Sequence, residues 1–235
     1  MPKGILNINK EKGISSARVV SLVRRALDMK KVGHTGTLDL EASGVLPIVV
    51  GKATRVSDYM MGKDKVYETE LILGKRTDTL DAAGEFTAWS DKTVNEDEFI
   101  SVMDTFKGDI EQIPPMYSAL KVDGRKLYDL AREGVKIERK RRKVKIYDLI
   151  LLDFNFPKAT IRVTCSKGTY IRTLVDDIGE KLGTFAYVNK LERVKVGDFD
   201  IKDAIKSEDI LSMPKEDLIA ELFPIDSALM NFDEL

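Results

Sequence analysis

The sequence predicts an α+β protein, and three observations carry that prediction. Segments with strand periodicity and segments with helix periodicity both occur, they do not follow strict βαβ alternation, and glycine- or proline-bearing stretches separate them. At 235 residues the chain is long enough to bury one large core or two small ones.

The elements follow in order. Gly4 to Asn9 alternates as a short strand. Ser15 and Ser16 offer a cap to a helix reaching Asp28, along which Val19, Val20, Leu22, Val23 and Leu27 keep helical spacing. Gly33 to Pro47, with its three glycines, two threonines and a proline, predicts a loop, and Val45 to Val50 a buried strand. Ala53 to Met60 reads as a short helix and Lys65 to Leu73 as an alternating strand. Asn95 with Glu98 three residues on is a capping-box pattern opening a helix to Phe106. Pro114-Pro115 makes Gln112 to Tyr117 a loop, and Lys126 to Glu133 a short helix follows. Lys143 to Phe154 and Ala159 to Ser166 are β-branched strands, Ile171 to Leu182 is a helix closed by Gly183, and Tyr187 to Val196 is a strand. After Asp198 the pattern is helical and acidic.

Composition narrows the function classes. Apolar content of 43% with 33% charged residues fits a globular protein, and no apolar run reaches bilayer length. The N-terminus leads directly into a strand-like segment, so a cytoplasmic location is predicted. The single cysteine, Cys165, forms no internal disulfide and no metal site, and a buried thiol is its default role. The net charge of −1 hides an uneven distribution. Lys121 to Lys145 holds eleven Lys/Arg against four Asp/Glu, whereas Asp198 to Leu235 holds three against eleven. The basic run is either a solvated face or a nucleic-acid contact.

The segment Gly33-His34-Thr35-Gly36-Thr37-Leu38-Asp39-Leu40-Glu41-Ala42-Ser43-Gly44-Val45-Leu46-Pro47 is polar and glycine-punctuated between two apolar stretches. It carries the only histidine of the chain and one aspartate. From residue types alone, Asp39 is either a backbone cap in an ordinary turn or a functional carboxylate held by a rigid scaffold.

Five ordered motifs settle that choice in favour of chemistry. GHTGTLD with ASGVLP resembles the defining motif of the TruB family of tRNA pseudouridine synthases, which has the dyskerin group as relatives. Lys65-Val66-Tyr67 with Leu73-Gly74 resembles the second motif of that family, and Arg76-Thr77-Asp78-Thr79 with Asp81-Ala82 and Gly84 the stretch after it. Pro115 to Lys121 with Gly124 to Tyr128 resembles its RNA-gripping insertion, and Cys165 to Leu174 its third motif. The resemblance spans roughly Gly4 to Asp226.

What it implies is specific. The fold is the pseudouridine synthase fold, a mixed, mostly antiparallel sheet flanked by helices, with the basic insertion at about 112–145. The reaction isomerises the uridine at position 55 of tRNA, in the T loop, without cofactor or metal. Asp39 matches the nucleophile, which adds covalently to the substrate. Arg172 matches the arginine that keeps this carboxylate charged and oriented, and Tyr67 the tyrosine lying against the target base. Tyr170 and Leu191 match positions lining the uridine pocket, with a plain core role equally open for Leu191. His34 matches a histidine that contacts RNA as the nucleotide leaves the stack, and Lys10 a lysine that helps shape the site. Lys121, Arg125, Lys126, Arg132, Arg139, Lys140, Arg141, Arg142 and Lys143 are candidate backbone phosphate contacts. Tyr117 and Tyr128 interleave aromatics among them or anchor the insertion. The implied partner is the tRNA T stem-loop, bound by a monomer.

Departures from the family pattern are also legible. Leu40 stands where the family has proline after the aspartate, and Glu11 where it has proline after Lys10. Residues 1–226 are predicted as the catalytic domain and 227–235 as a short acidic tail, without the PUA-type C-terminal domain of many relatives. Three rivals stand beside this reading: an enzyme with another RNA target, such as a guide-RNA-directed or messenger substrate, a non-catalytic RNA-binding or RNA-folding protein, and a generic soluble α+β domain, which the five motifs disfavour. Against a guide-RNA-directed form of the first, the sequence lacks the long extensions of the dyskerin group. The second has no use for Asp39, Tyr67 and Arg172 together.

Overall fold

The computed structural model describes residues 2–118, 120–122, 124–135 and 137–225, and for Lys121, Lys126 and Arg132 the backbone alone. In chain order the elements are β1 (Gly4–Lys10), α1 (Ser16–Leu27), β2 (Val32–His34), β3 (Ser43–Val50), α2 (Ser57–Gly62), β4 (Lys65–Leu73), β5 (Lys75–Thr77), β6 (Phe86–Trp89), α3 (Glu96–Asp104), β7 (Gly108–Gln112), β8 (Lys121–Val122), β9 (Arg125–Lys126), α4 (Leu127–Arg132), β10 (Arg142–Asn155), β11 (Lys158–Cys165), α5 (Ile171–Leu182), β12 (Ala186–Val196), β13 (Phe199–Asp200), β14 (Ile205–Lys206) and α6 (Lys215–Ala220). The fold is α+β, as predicted. It divides into two compact units, residues 1–66 with 192–235 and residues 67–191, so the boundaries fall inside β4 and β12.

In the first unit the strand order is β14-β1-β3-β12, with β2 pairing β3 and β13 pairing β12. β1 and β3 are antiparallel from Gly4↔Val50 to Lys10↔Gly44, and β3 runs parallel to β12. Both strands are buried on both faces. Leu6, Ile8, Leu46 and Ile48 pack with Val19, Val23 and Leu27 of α1 and Leu218 of α6, while Ile5, Val45 and Val49 pack with Met60 and Phe199. Such two-sided burial explains the unbroken apolar run of β3, since alternation marks only strands with one wet face. α1 begins where predicted, with the Ser15 side chain accepting from the Arg18 amide, and Asp28 closes it in the left-handed region.

In the second unit the order is β12-β4-β11-β10-β7, with two-stranded β5–β6 and β8–β9 ladders apart from it. α3 opens with the capping box read from Asn95 and Glu98, and its Phe99 packs against Phe154 of β10 with ring centroids 5.4 Å apart. α5 covers Ile171–Leu182 and ends at Gly183 in the left-handed region, both as predicted.

Three readings are corrected. The loop Gly33 to Pro47 is shorter than expected, because Gly33 and His34 belong to β2 and Ser43 to Pro47 to β3. Pro47 sits where β2 ends: its carbonyl accepts the Thr35 amide at 3.1 Å, and with no N–H to return the bond the β2–β3 ladder stops at His34. The helix at Ala53 to Met60 is a 3-10 turn, Gly51–Val56, followed by α2. Among the described residues the acidic stretch after Asp198 is mainly short strands and turns, with a 3-10 turn at Ile201–Asp203 and an α-helix at α6, and Phe199 is drawn into the core beside Val45. The predicted tail at 227–235 lies outside the described residues.

Candidate active site

The first unit holds Asp39. β2 and β3 pair antiparallel with His34 opposite Ile48, so residues 35–42 leave and return at one place. The backbone around Asp39 is held on both sides. The Leu38 amide donates to Ser16 Oγ at 2.9 Å, and that hydroxyl donates back to the Leu38 carbonyl at 3.1 Å. The Leu40 carbonyl accepts from the Gly13 amide at 2.8 Å, and the Asp39 carbonyl accepts from the Ala42 amide at 3.2 Å, closing a turn. Leu38 is buried, Asp39 half-buried and the Leu40 side chain 52% exposed. The position where proline is absent is therefore fixed by hydrogen bonds from α1 and from the turn before it.

Two buried cations belong to the same unit. Lys10 is fully buried at the end of β1, and its Nζ donates to the carbonyls of Glu11 and Ile14, each at 2.9 Å. Burial pushes its pKa down to about 8, opposed by the negative charge of Asp39 and reinforced by Arg193. Arg193 on β12 donates from Nε to the Val45 carbonyl at 2.7 Å. His34 Nδ1 accepts from the Gly36 amide at 3.3 Å, and burial, then Arg193, lowers its pKa. The lowered pKa favours a neutral imidazole, and the accepting Nδ1 puts its proton on Nε2.

The second unit holds Tyr67, Tyr170, Arg172 and Leu191. Tyr67 lies on the buried phase of β4 with Thr69 and Leu71. Arg172, in the first turn of α5, is 4% exposed. It donates to the carbonyl of Thr79 at 2.9 Å and to that of Tyr117 at 2.8 Å, and pairs with the Asp81 carboxylate at 3.5 Å. It thereby ties the Asp78–Gly84 turn to the root of the insertion. Asp81 is itself oriented by Thr79 Oγ1 at 2.6 Å and the Ala83 amide at 3.1 Å. Tyr170 precedes α5, where the Gln112 side chain both accepts its amide at 3.0 Å and donates to its carbonyl at 3.2 Å. Leu191 is half-buried at the last position of this unit.

The insertion rests on buried Leu127 and Leu130, and on the Tyr128 amide donating to the Ser118 carbonyl. Tyr117 and Tyr128 are half-buried, and the Tyr117 hydroxyl donates to Asp78 at 3.5 Å. The basic residues differ in availability. Arg125 pairs with Glu133, and Arg139 donates to the Pro114 carbonyl at 3.0 Å. Lys143 faces Glu111 across β10 and β7. Lys140, Arg141 and Arg142 are exposed. The side chains of Lys121, Lys126 and Arg132 lie outside the described residues.

Sequence reasoning did not find Ser16, Gln112, Asp81 or Arg193. Of these, Asp81 alone left a signal, as a member of the motif stretch from Arg76 to Gly84.

A family model described as TruB family pseudouridylate synthase (N terminal domain) matches residues 24–171, and one described as tRNA pseudouridylate synthase B C-terminal domain matches residues 172–230. The chain belongs to the TruB family. A relative named tRNA pseudouridine synthase B from Clostridium kluyveri is 47% identical over 232 residues, covering 99% of this chain and 79% of that protein. Its namesake from Geobacillus thermodenitrificans is 47% identical over 237 residues, covering 97% and 78%. Among solved structures, a Cbf5-Nop10-Gar1 complex matches with a TM-score of 0.76 at 31% identity, covering 96% of this chain and 61% of that one. The structure of an H/ACA RNP bound to a substrate RNA containing 2'-deoxyuridine matches with a TM-score of 0.73 at 28% identity, covering 96% and 60%. The chain thus spans about three fifths of these solved relatives. Asp39 and Tyr67 fall in the N-terminal TruB match, Arg172 and Leu191 in the C-terminal one.

Proposed function

We propose that this chain isomerises uridine to pseudouridine in the T loop of tRNA, with Asp39 as the covalent nucleophile. The observation that carries the reading is the Asp39 loop: a half-buried carboxylate whose flanking residues are hydrogen-bonded to α1 and to the Gly13 turn. A turn of purely structural use needs no such restraint on both sides of one aspartate. Near-complete coverage by relatives named tRNA pseudouridine synthase B supports the choice of tRNA.

The chemistry balances without a co-reactant. The C1′–N1 bond breaks, the base turns, C1′ bonds to C5, the C5 proton is lost and N1 gains one. Asp39 adds to the substrate and is released, so no cofactor is consumed. Tyr67 lies against the base, and Arg172 takes the family role of partner to the nucleophilic carboxylate. Tyr170 and Leu191 line the uridine pocket, Lys10 shapes it, and neutral His34 contacts the RNA as the nucleotide flips. The exposed cations Lys140, Arg141 and Arg142 take the largest share of the phosphate contacts, with the rest of the basic run contributing less. The enzyme acts as a cytoplasmic monomer on the T stem-loop, with residues 1–226 as its catalytic region.

The test is incubation of the purified protein with an unmodified tRNA transcript, followed by pseudouridine mapping. One modified uridine in the T loop is expected. Modification elsewhere alone refutes the substrate, and none at all refutes the activity.

A further inference from the structure

Arg193 is 2% exposed, and no carboxylate pairs with it among the described residues. Burying a cation against neutral partners is costly. Its partners are two carbonyls, Val45 through Nε at 2.7 Å and Gly36 through Nη2 at 3.4 Å. These are the two ends of the segment that contains Asp39. The backbone of β12 reinforces the clamp, since Glu192 and Arg193 pair in parallel with Ser43 and Gly44, and Ser43 Oγ donates to Glu192 at 3.2 Å. At Gly44, φ is +111°, and a Cβ would stand 2.3 Å from the Arg193 carbonyl oxygen. Only glycine admits β12 this closely.

We propose that Arg193 is a positioning residue, joining both ends of the 36–45 segment and holding a positive charge beside it, so that the Asp39 carboxylate is presented in one place. It acts without touching substrate. The inference rests on the reading of Asp39 as nucleophile. Its electrostatic reach is visible in two neighbours, because the Arg193 charge lowers the pKa of both Lys10 and His34.

The experiment compares the parent with Arg193→Gln in three measurements: single-turnover pseudouridine formation, transcript affinity, and NMR titration of His34, the only histidine and so a single resolved signal. A folded Arg193→Gln should lose about 100-fold in rate, the scale of a misplaced reacting group. Its transcript affinity should stay within about twofold, the pattern of an interaction that serves only the transition state. The His34 pKa should rise, because a neighbouring cation is gone. Arg193→Lys should restore the His34 titration but little of the rate, because one ammonium cannot span both carbonyls. A folded Arg193→Gln with a rate within about twofold of the parent overturns the proposal, as does a rate loss matched by an equal loss of affinity. Should the glutamine variant not fold, Arg193→Lys is read alone by the rate criterion. If the parent itself makes no pseudouridine, the functional reading has failed separately. The amide protection of Leu38 and Ala42 then decides, and unchanged protection in the variant overturns the positioning role.

Discussion

The Ser16 hydroxyl grips Leu38 twice, accepting from its amide at 2.9 Å and donating to its carbonyl at 3.1 Å. Both residues are buried, and Leu38 immediately precedes Asp39. The first turn of α1 therefore sets the path by which Asp39 enters its loop.

Ser16→Ala should leave a buried amide and carbonyl unpaired, at a cost of roughly 1–3 kcal/mol. Urea unfolding measures that cost. The rate of uridine isomerisation should fall with little change in transcript affinity, because the lost restraint acts on Asp39 rather than on the RNA contacts.

Gln112 plays the matching part before α5. It is 1% exposed and exchanges two hydrogen bonds with the Tyr170 backbone. Gln112→Leu keeps the bulk and removes both bonds, so stability should again drop by roughly 1–3 kcal/mol. Gln112→Glu should be worse than Gln112→Leu in unfolding measurements at neutral pH, because its carboxylate cannot donate to the Tyr170 carbonyl and is buried as a charge.

Two lowered pKa values give the same pH trend in two separate windows. His34 is lowered from 6.5, so below that pH the unfolded chain takes up a proton that the folded chain refuses. Stability contributed by neutral His34 is lost as pH falls below 6.5 toward the folded pKa, and His34→Gln should flatten this segment. Lys10 is lowered from 10.5 to about 8, so between those values the folded chain gives up a proton that the unfolded chain retains. Stability should rise with pH across that window, and Lys10→Met should abolish the rise. Urea titrations at several pH values check both.

Among the basic residues, Arg141 and Arg142 are exposed, whereas Arg125 and Arg139 are engaged within the protein. Reversing the charge at Arg141 and Arg142 should weaken tRNA binding and flatten its dependence on salt. The same change at Arg125 should have a smaller effect. Affinity titrations at several salt concentrations separate the two outcomes.

The contrast between legible and hidden features follows from how each signal arises. α5 and the capping box of α3 were legible because periodicity and caps are local. β5–β6 was not, since Phe86 and Trp89 are exposed and the hairpin shows no alternation. Asp39, Tyr67 and Arg172 were nominated by motif. Ser16, Gln112 and Arg193 were hidden because their partners lie 22, 58 and 148 residues away in the chain. Leu40 shows the limit from the other side: it stands where the family has proline, yet the Leu40 carbonyl is tied to Gly13 at 2.8 Å.

The central claim is that Asp39 is the nucleophile, and its most direct test is pseudouridine mapping of a tRNA transcript treated with Asp39→Asn. The substitution keeps the size of the side chain and removes its charge. No pseudouridine in the T loop, with transcript binding and folding retained, is the predicted result. Product at the parent rate would contradict the claim and remove Asp39 from the chemistry.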